Sequence, residues 1–343
     1  MELFAAPLDL TYRPASLDDL VGCLDTLQRC YGDDPVLVAR LPGVWRRLME
    51  DRAMIAPVLE DRSAPLTDRR RRIRTLGASV FVTDAFAAEV REGRCPLVGA
   101  QIARRILADR SPVLTFPEIQ RANRKNGLNL CVLHCDYRVP PRDMPEDGAL
   151  IEKHIEMYFH YHCGYQLKEY LHEVYGEESR RWMVESGMEV RTDYAGIDSH
   201  ELTRWRANGG GRDRGPYVIG LTRAEAYGRT GSRAFPMFVH TPAGLGFRLA
   251  EQELLLRALA GETDEELADS LNLSLSAIKK RWSAIYDRVW EAHLERVLGI
   301  DADEPADSRG RRGSERRRHL LNYLQNHPEE LQPVNAAKGR ASR

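Results

Sequence analysis

The sequence predicts an α/β domain followed by a small all-α domain, and two observations support this. Over residues 1–235, short segments rich in β-branched residues alternate with amphipathic helical segments, the pattern of an α/β or α+β domain. Over residues 247–289, apolar residues recur at helical spacing in three runs separated by short breaks. Residues 236–246 lie in a stretch rich in glycine and proline, so we expect a linker there.

The chain opens with a strand and a helix. Leu8, Leu10 and Tyr12 alternate with polar residues, Pro14 ends the strand, and Ser16 is in position to cap the helix that follows. The phrase YRPASLDDL over these residues resembles the opening of the GNAT acetyltransferase fold, in which a first strand ends in Arg-Pro-Ala and a helix begins at Asp-Leu. The resemblance implies a mixed sheet covered by helices.

The remaining segments up to residue 235 supply further elements of this domain. We expect helices at 44–50 and 97–108, strands at 53–59, 78–83 and 129–137, a long helical region at 149–175, and strands at 188–194 and 217–221.

A glycine-bearing turn decides whether such a domain binds acetyl-CoA. The family that it resembles holds the pyrophosphate at a strand-to-helix turn of pattern Gln/Arg-x-x-Gly-x-Gly/Ala, through backbone N–H groups. The nearest match runs from Arg94 to Gly99 and Ala100, but its Arg is one residue too far away. Gln101 also replaces the second Gly or Ala, and Pro96 removes a donor. We therefore expect a domain that senses a ligand or a partner, not an enzyme, with no catalytic residue and no cofactor.

The C-terminal stretch predicts three helices. The first covers 250–259 and stops before Gly261. Thr263 opens the second with Glu266 three residues later, a capping box, and Ser274 caps the third. Two short helices joined by a turn of a few residues are the pattern of a helix-turn-helix.

This stretch resembles the LuxR/FixJ-type helix-turn-helix. The matching residues are Glu251-Gln-Glu253, Gly261, Leu267-Ala268-x-x-Leu271, Leu273-Ser274 and Ile278-Lys279. Two positions depart from the family's pattern, since Ala277 replaces the usual Thr and Arg281 a frequent His. The resemblance implies a DNA-binding domain at 247–299, whose recognition helix begins near Leu275 and enters the major groove.

A set of polar and basic residues in this helix is expected to contact double-stranded DNA. They are Ser274, Ser276, Ala277, Lys279, Lys280 and Arg281. The preceding helix is acidic, with Glu262, Asp264, Glu265, Glu266 and Asp269, and these charges would repel a nearby phosphate. A module that has lost DNA and serves in dimerisation or docking is therefore the alternative.

Two further clusters of residues can be interpreted either as ordinary structural residues or as a functional site. Cys131, His134, Cys135, His160, His162 and Cys163 offer six nitrogen or sulfur ligands, which zinc favours. On a strand, however, Cys131 and Cys135 would face one way and His134 the other, so we expect no metal. The aromatic residues over 158–170 predict core packing, with a ligand pocket as the alternative.

Charge and composition exclude some classes of protein. The formal net charge is −1, so DNA affinity would have to come from a local patch such as the basic runs at 69–72 and 309–318. Residues 300–343 predict a basic, partly disordered tail with a short helix at 316–324. No apolar run reaches membrane-spanning length, no signal peptide is apparent, and the six cysteines follow no disulfide spacing.

Together these observations predict a cytoplasmic bacterial transcription regulator that binds double-stranded DNA as a homodimer. Its N-terminal domain would sense a small-molecule ligand or a partner, without contact to a membrane. The alternatives are an N-acetyltransferase fused to a DNA-targeting module, and a protein-interaction module whose helix-turn-helix no longer binds DNA.

Overall fold

The structure is a computed structural model of the 343-residue chain, and it forms two compact units. The first comprises residues 1–161 and 166–239, and the second residues 162–165 and 240–343. The structure describes residues 8–24, 31, 34–65, 72–137, 146–197, 199–207, 215–259, 261–298 and 313–332. The predicted bounds of the linker and of the DNA-binding domain stay a prediction.

The first unit is built on an eight-stranded mixed sheet. Its strands are β1 (Leu10–Pro14), β2 (Met54–Ile55), β3 (Pro57–Asp61), β4 (Ile73–Val82), β5 (Leu128–Tyr137), β6 (Leu167–Val174), β7 (Glu189–Asp193) and β8 (Tyr217–Thr222). The strand order is β1-β3-β4-β5-β6-β8-β7, and β2 also pairs with β4. The pair β5 and β6 is parallel, and the other described pairs are antiparallel. The predicted mixed α/β class is confirmed.

Nine helices of the described residues accompany this sheet. They are α1 (Leu17–Gly22), α2 (Pro35–Glu50), α3 (Asp84–Arg91), α4 (Val98–Leu107), α5 (Phe116–Asn123), α6 (Glu146–His162), α7 (Glu177–Glu185), α8 (His200–Trp205) and α9 (Arg223–Tyr227). Ser16 caps α1 as predicted, because its side chain accepts a hydrogen bond from the backbone of Asp19.

Both faces of the sheet are buried. On one face Val80, Cys131 and Leu171 belong to a core that includes Trp45 of α2 and Phe86 of α3. On the other face a smaller core joins residues of β3 and α6, namely Leu59, Leu150 and Met157. The sheet therefore carries helices on two sides, and its central strands have little exposed surface.

The long helical region predicted at 149–175 is wrong in its second half. Helix α6 ends at His162, Gly164 adopts a φ of +82°, and β6 occupies Leu167–Val174. A strand buried on both faces has no polar–apolar alternation, so its apolar residues resemble a helical stripe. Helices α3, α5, α7, α8 and α9 were also missed.

The second unit contains the three helices that the C-terminal stretch predicts. They are α10 (Leu249–Leu259), α11 (Asp264–Ser270) and α12 (Leu275–Glu291). The predicted capping box is present, since Thr263 Oγ1 accepts from the N–H of Glu266 at 3.2 Å and the Glu266 carboxylate accepts from the N–H of Thr263 at 2.8 Å. Ser274 caps α12.

A further helix, α13 (Gly313–Asn326), completes the core of this unit. Its Leu320 and Leu324 are buried with Leu254 of α10, Leu267 of α11 and Ile278 of α12. Helix α13 is longer than the predicted helix at 316–324. The helices therefore form one apolar core, and residues of the predicted tail are part of it.

Some predicted segments lie outside the described residues. They are most of the basic run at 69–72, and the tail at 300–312 and 333–343. Among the described residues, no helix combines the length and the apolar character that crossing a bilayer requires.

Gly164 is the position at which the second unit tolerates no side chain. A Cβ built there would lie 2.1 Å from the carbonyl oxygen of Gln332, whereas Gly246, with a φ of +57°, has open space around it. We expect Gly246→Ala to cost about 1 kcal/mol, the cost of the left-handed backbone alone. Gly164→Ala should cost a further ~1–3 kcal/mol, because the segment must also move.

Hydrogen exchange of the amides in α10–α12 gives a free energy of opening for each variant and for the parent chain. The difference between variant and parent is the cost of the substitution. Equal costs for the two substitutions would show that residues 164 and 332 are not packed together.

Candidate active site

The pairing of the two central strands ends before the strands do. Strands β5 and β6 pair in parallel from Leu128 and Leu167 up to Val132 and His172. Strand β5 then continues to Tyr137, still paired with β4, while β6 continues alongside β8. The facing edges of β5 and β6 therefore have no described register with each other beyond Val132 and His172, and we call this unpaired stretch the gap.

A β-bulge marks the point of separation. Ala78 of β4 pairs with His134, while the next residue, Ser79, pairs with Val132, so Leu133 is the extra residue. The bulge changes the sides on which the following residues lie. Cys131 belongs to the core of the first face, whereas Cys135 contacts α6 on the second. The prediction that Cys131 and Cys135 face the same way is therefore wrong.

Glu173 is a buried carboxylate on the β6 side of the gap. It accepts hydrogen bonds from the backbone N–H groups of Leu97 (2.8 Å) and Val98 (2.9 Å), and from the Tyr175 hydroxyl (2.7 Å). Burial raises the pKa of Glu173 to about 7, although these three hydrogen bonds favour the charged form. The wall of the gap therefore holds a carboxyl group that changes charge near neutrality.

The nearest match to the phosphate turn, from Arg94 to Ala100, does not follow a strand. It connects α3 to α4, and the N–H groups at the start of α4 are those bonded to Glu173. A protein carboxylate thus occupies the anion-binding end of this helix. The stretch therefore departs from the family's pattern in its position between two helices and in this internal occupant, as well as in its sequence.

Three buried histidines interact electrostatically beside the gap. They are His134, His154 and His172. Burial lowers the pKa of His154 to about 4 and of the other two to about 3, so all three are neutral at pH 7. His154 Nε2 lies 3.0 Å from Cys135 Sγ, and its Nδ1 lies 2.7 Å from Thr75 Oγ1. This cluster joins β4, β5 and α6.

The six residues weighed as metal ligands do not converge. His160 stacks against Tyr12 with ring centroids 5.1 Å apart, and the Cys163 thiol donates to Glu329 at 3.5 Å. Among the described residues, no group of three or more histidine, cysteine or acidic side chains could hold an ion. The neighbouring aromatic residues pack as core, as Tyr158 and Tyr170 do with centroids 6.4 Å apart.

Arg13 of the first strand lies beside a pocket at the edge of the sheet. Its guanidinium pairs with Asp19 at 2.7 Å and also with Glu60. Arg72 pairs with Glu60 at 3.1 Å. The pocket has a volume of about 600 Å³ and is lined by Thr11, Tyr12, Arg13, Ser16, Asp19, Glu60, Arg62, Arg72 and Ile73. The Arg in the opening phrase therefore has a structural role, linking β1 to β3 and α1.

The residues predicted to contact DNA lie at the start of α12. Lys279 and Lys280 are exposed. Ser274 caps the helix through the N–H of Ala277, and its hydroxyl lies 3.0 Å from that of Ser276. Arg281 is half-buried and donates to the carbonyl of Ala250 at 3.3 Å. The two lysines are thus the more accessible cations of the set.

Partners within the unit hold three of the five acidic residues near α11. Asp264 accepts from Arg317 at 2.6 Å and from the Trp282 indole at 3.2 Å. Glu262 accepts from Arg257 at 3.2 Å, and Glu266 completes the capping box. The cation from α13 compensates the charge of Asp264, so the acidity of α11 is smaller than the sequence suggests.

The comparisons with known proteins concern about two thirds of the chain. No family model and no curated protein matches it. A spermidine/spermine N-acetyltransferase from Vibrio cholerae matches with 12% identity over 64% of this chain and 98% of its own, at a TM-score of 0.33. The chain is similar to N-acetyltransferases.

Two other solved structures match in the same way. One is a mutant agmatine N-acetyltransferase in its apo form, with 13% identity over 62% of this chain and 99% of its own, at a TM-score of 0.32. The other is the C-terminal condensation domain of Ebony in complex with β-alanyl-dopamine, with 12% identity over 63% and 99%, at a TM-score of 0.36.

These matches contradict one prediction: the expectation that the chain is not an enzyme is wrong. Sequence reasoning also missed Glu173, Tyr175 and His154. A carboxylate in a buried strand would have been conspicuous, had Leu167–Val174 been assigned as a strand.

The raised pKa of Glu173 predicts a pH dependence of stability. Between the ordinary pKa of 4.5 and about 7, the folded chain retains a proton that the unfolded chain has released. The free energy of unfolding should therefore fall by about 3 kcal/mol as the pH rises through this range. Glu173→Gln should remove this slope.

Urea unfolding between pH 4.5 and 8 measures the slope in both proteins. Glu225 provides a control of opposite sign. Its burial favours the neutral form, but hydrogen bonds from Arg191 and Thr222 lower its pKa to about 2. Glu225→Gln should therefore lower the stability by a constant amount across this range, and it should change the slope only below about pH 4.5. An unchanged slope in Glu173→Gln would disprove the assignment.

Proposed function

We propose that the first unit is an acyltransferase of the N-acetyltransferase kind, which moves an acyl group from a coenzyme A thioester to an amine. The supporting observation is the gap that opens between the parallel strands β5 and β6 after Val132 and His172. Backbone N–H and C=O groups along such edges can pair with an extended ligand that carries amides of its own. The pantetheine arm of coenzyme A is a ligand of this kind.

The gap also has a group that can accept the proton of the amine. Tyr175 is half-buried, and its hydroxyl donates to Glu173 at 2.7 Å. As the amine attacks, Tyr175 takes its proton and passes its own to Glu173. A base with a pKa near the working pH is the most effective one, and that of Glu173 is about 7.

Binding and turnover of acetyl-CoA test this proposal directly. We expect saturable heat of binding to the full chain in calorimetry. We also expect acetylation of small cationic amines, with spermidine and agmatine as the first acceptors to be tried. Absence of both would refute an acyltransferase.

The proton path predicts a specific loss of rate. Tyr175→Phe should lower kcat by ~10²-fold, because general base catalysis contributes on this order, while leaving the affinity for acetyl-CoA unchanged. Tyr227→Phe is the matched control, since that tyrosine is 54% exposed on α9. The kcat of the parent chain should rise with pH to a plateau above about 7, and a profile unchanged in Glu173→Gln would exclude this base.

A second function, DNA targeting by the second unit, has its own supporting observation. The exposed Lys279 and Lys280 lie beside the cap of α12, where a recognition helix meets DNA. Partners within the unit hold Glu262 and Asp264, which weakens the objection from acidity. We infer that a LuxR-type module brings the acyltransferase to double-stranded DNA, with two copies on a two-fold-related site.

Salt dependence distinguishes DNA contacts from structural roles. In fluorescence anisotropy with duplex DNA from upstream of the chain's own gene, Lys279→Ala with Lys280→Ala should reduce the slope of log K against log salt by about 2. Arg296→Ala, an exposed cation outside α12, is the control and should leave the slope unchanged. A double variant with the parent slope would remove α12 from the DNA interface.

A further inference from the structure

Cys135, His154 and Thr75 form a hydrogen-bonded series on the face of the sheet that α6 covers. Cys135 Sγ lies 3.0 Å from His154 Nε2, and His154 Nδ1 lies 2.7 Å from Thr75 Oγ1. Gly77 of β4 pairs with Cys135, so Thr75, two residues away, lies on the same face of the sheet. Three different elements therefore hold a thiol, an imidazole and a hydroxyl in line.

The imidazole of His154 is uncharged at neutral pH. Its burial lowers the pKa to about 4, so the ring is neutral at pH 7, with one N–H donor and one acceptor nitrogen. We assign the proton to Nδ1, which donates to Thr75 Oγ1. Nε2 then accepts the S–H of Cys135. A nucleophile, a base and a third group that orients the base are the arrangement that nucleophilic catalysis requires.

Other thiols of the chain have surroundings that disfavour reaction. Cys95 donates to Glu89, and Cys163 donates to Glu329. Burial raises the pKa of Cys95 to about 12 and that of Cys163 to about 11, and the neighbouring carboxylates act in the same direction. Cys135 has a neutral imidazole in the place of a carboxylate.

The position of Cys135 connects this series to the gap. It lies three residues beyond Val132, where the pairing of β5 with β6 ends, and it is half-buried, whereas Thr75 and His154 are only 1% and 4% exposed. The thiol is thus the accessible end of the series. It belongs to the part of β5 along which an acyl-thioester arm would lie.

We propose that Cys135 is a nucleophile that takes the acyl group from the thioester before the amine receives it, with His154 as its general base and Thr75 as the positioning residue. The inference rests on the proposed acyltransferase function and adds a covalent intermediate to it.

The transfer balances without any further reagent. Cys135 Sγ bonds to the thioester carbonyl carbon while its proton moves to His154 Nε2. The bond from that carbon to the donor sulfur breaks, and the departing thiolate takes the proton from Nε2. In the second half, the amine nitrogen bonds to the carbonyl carbon and Sγ departs. The nitrogen loses its proton to Glu173 through Tyr175, and Sγ regains one from solvent.

The first test is mass spectrometry of the full chain, incubated with acetyl-CoA in the absence of an amine and quenched in acid. We expect the chain to gain the mass of one acetyl group, located on the peptide that contains Cys135. Cys135→Ser should lose the thioester label, and His154→Gln should slow labelling ~10²-fold, as for loss of a general base. Cys163→Ser is the matched control and should label like the parent.

The second test separates this inference from the proposed function. S-acetyl-N-acetylcysteamine is a small thioester that needs no coenzyme A site. If it labels Cys135 in the parent chain and labels His154→Gln more slowly, the result supports Cys135 as the nucleophile. One outcome would refute the covalent intermediate alone: acetyl-CoA binds and amines are acetylated, but neither thioester labels Cys135, and Cys135→Ser has the activity of the parent chain. The proposed acyltransferase function would then remain. If acetyl-CoA does not bind and neither thioester labels the chain, both fail. Cys135→Ser replaces only the sulfur atom by oxygen, and a circular dichroism spectrum equal to that of the parent chain will verify that the variant is folded.

Discussion

The first unit depends on the parallel pairing of β5 with β6. Each of these strands has its other edge occupied, β5 by β4 and β6 by β8, so only their shared edge can open. Pairing holds over their first halves, up to Val132 and His172, and ends at the bulge at Leu133. The rest of the sheet anchors both strands and keeps the gap from closing by a sideways shift. A sheet that is otherwise continuous thereby gains a narrow opening at its centre.

Desolvation is the common cause of the unusual titration on both sides of this opening. Glu173 on the first face has a pKa near 7, and His154 on the second has one near 4, because each is buried. Opposite shifts in an acid and in a base have the same outcome, because both favour the neutral form: the protonated carboxyl of Glu173 below about pH 7 and the unprotonated imidazole of His154 above about pH 4. The helices that cover the sheet therefore set the chemistry as well as the stability, since they exclude water from both side chains.

Structural features that depend on residues close in sequence could be predicted, and those that depend on contacts between distant residues could not. The caps at Thr263 and Ser274 were predictable, because the residues that make each hydrogen bond lie within three positions of each other. Strand β6 was not, since burial on both faces removes the period that identifies a strand. Likewise, the bulge at Leu133 depends on the partner strand, and it reversed the expected side of Cys135. The role of Glu173 depends on its contact with the start of α4, and no residue close to Glu173 in the sequence predicts that contact.

The second unit is not continuous along the chain, because residues 162–165, which come between α6 and β6, belong to it. Gly164 packs against the carbonyl of Gln332, and Glu330 accepts from the N–H groups of Gly244 and Leu245. A recombination event that moved residues 240–343 into another gene would leave behind the four residues against which the C-terminal segment packs. This helical module is therefore less portable between proteins than its length suggests.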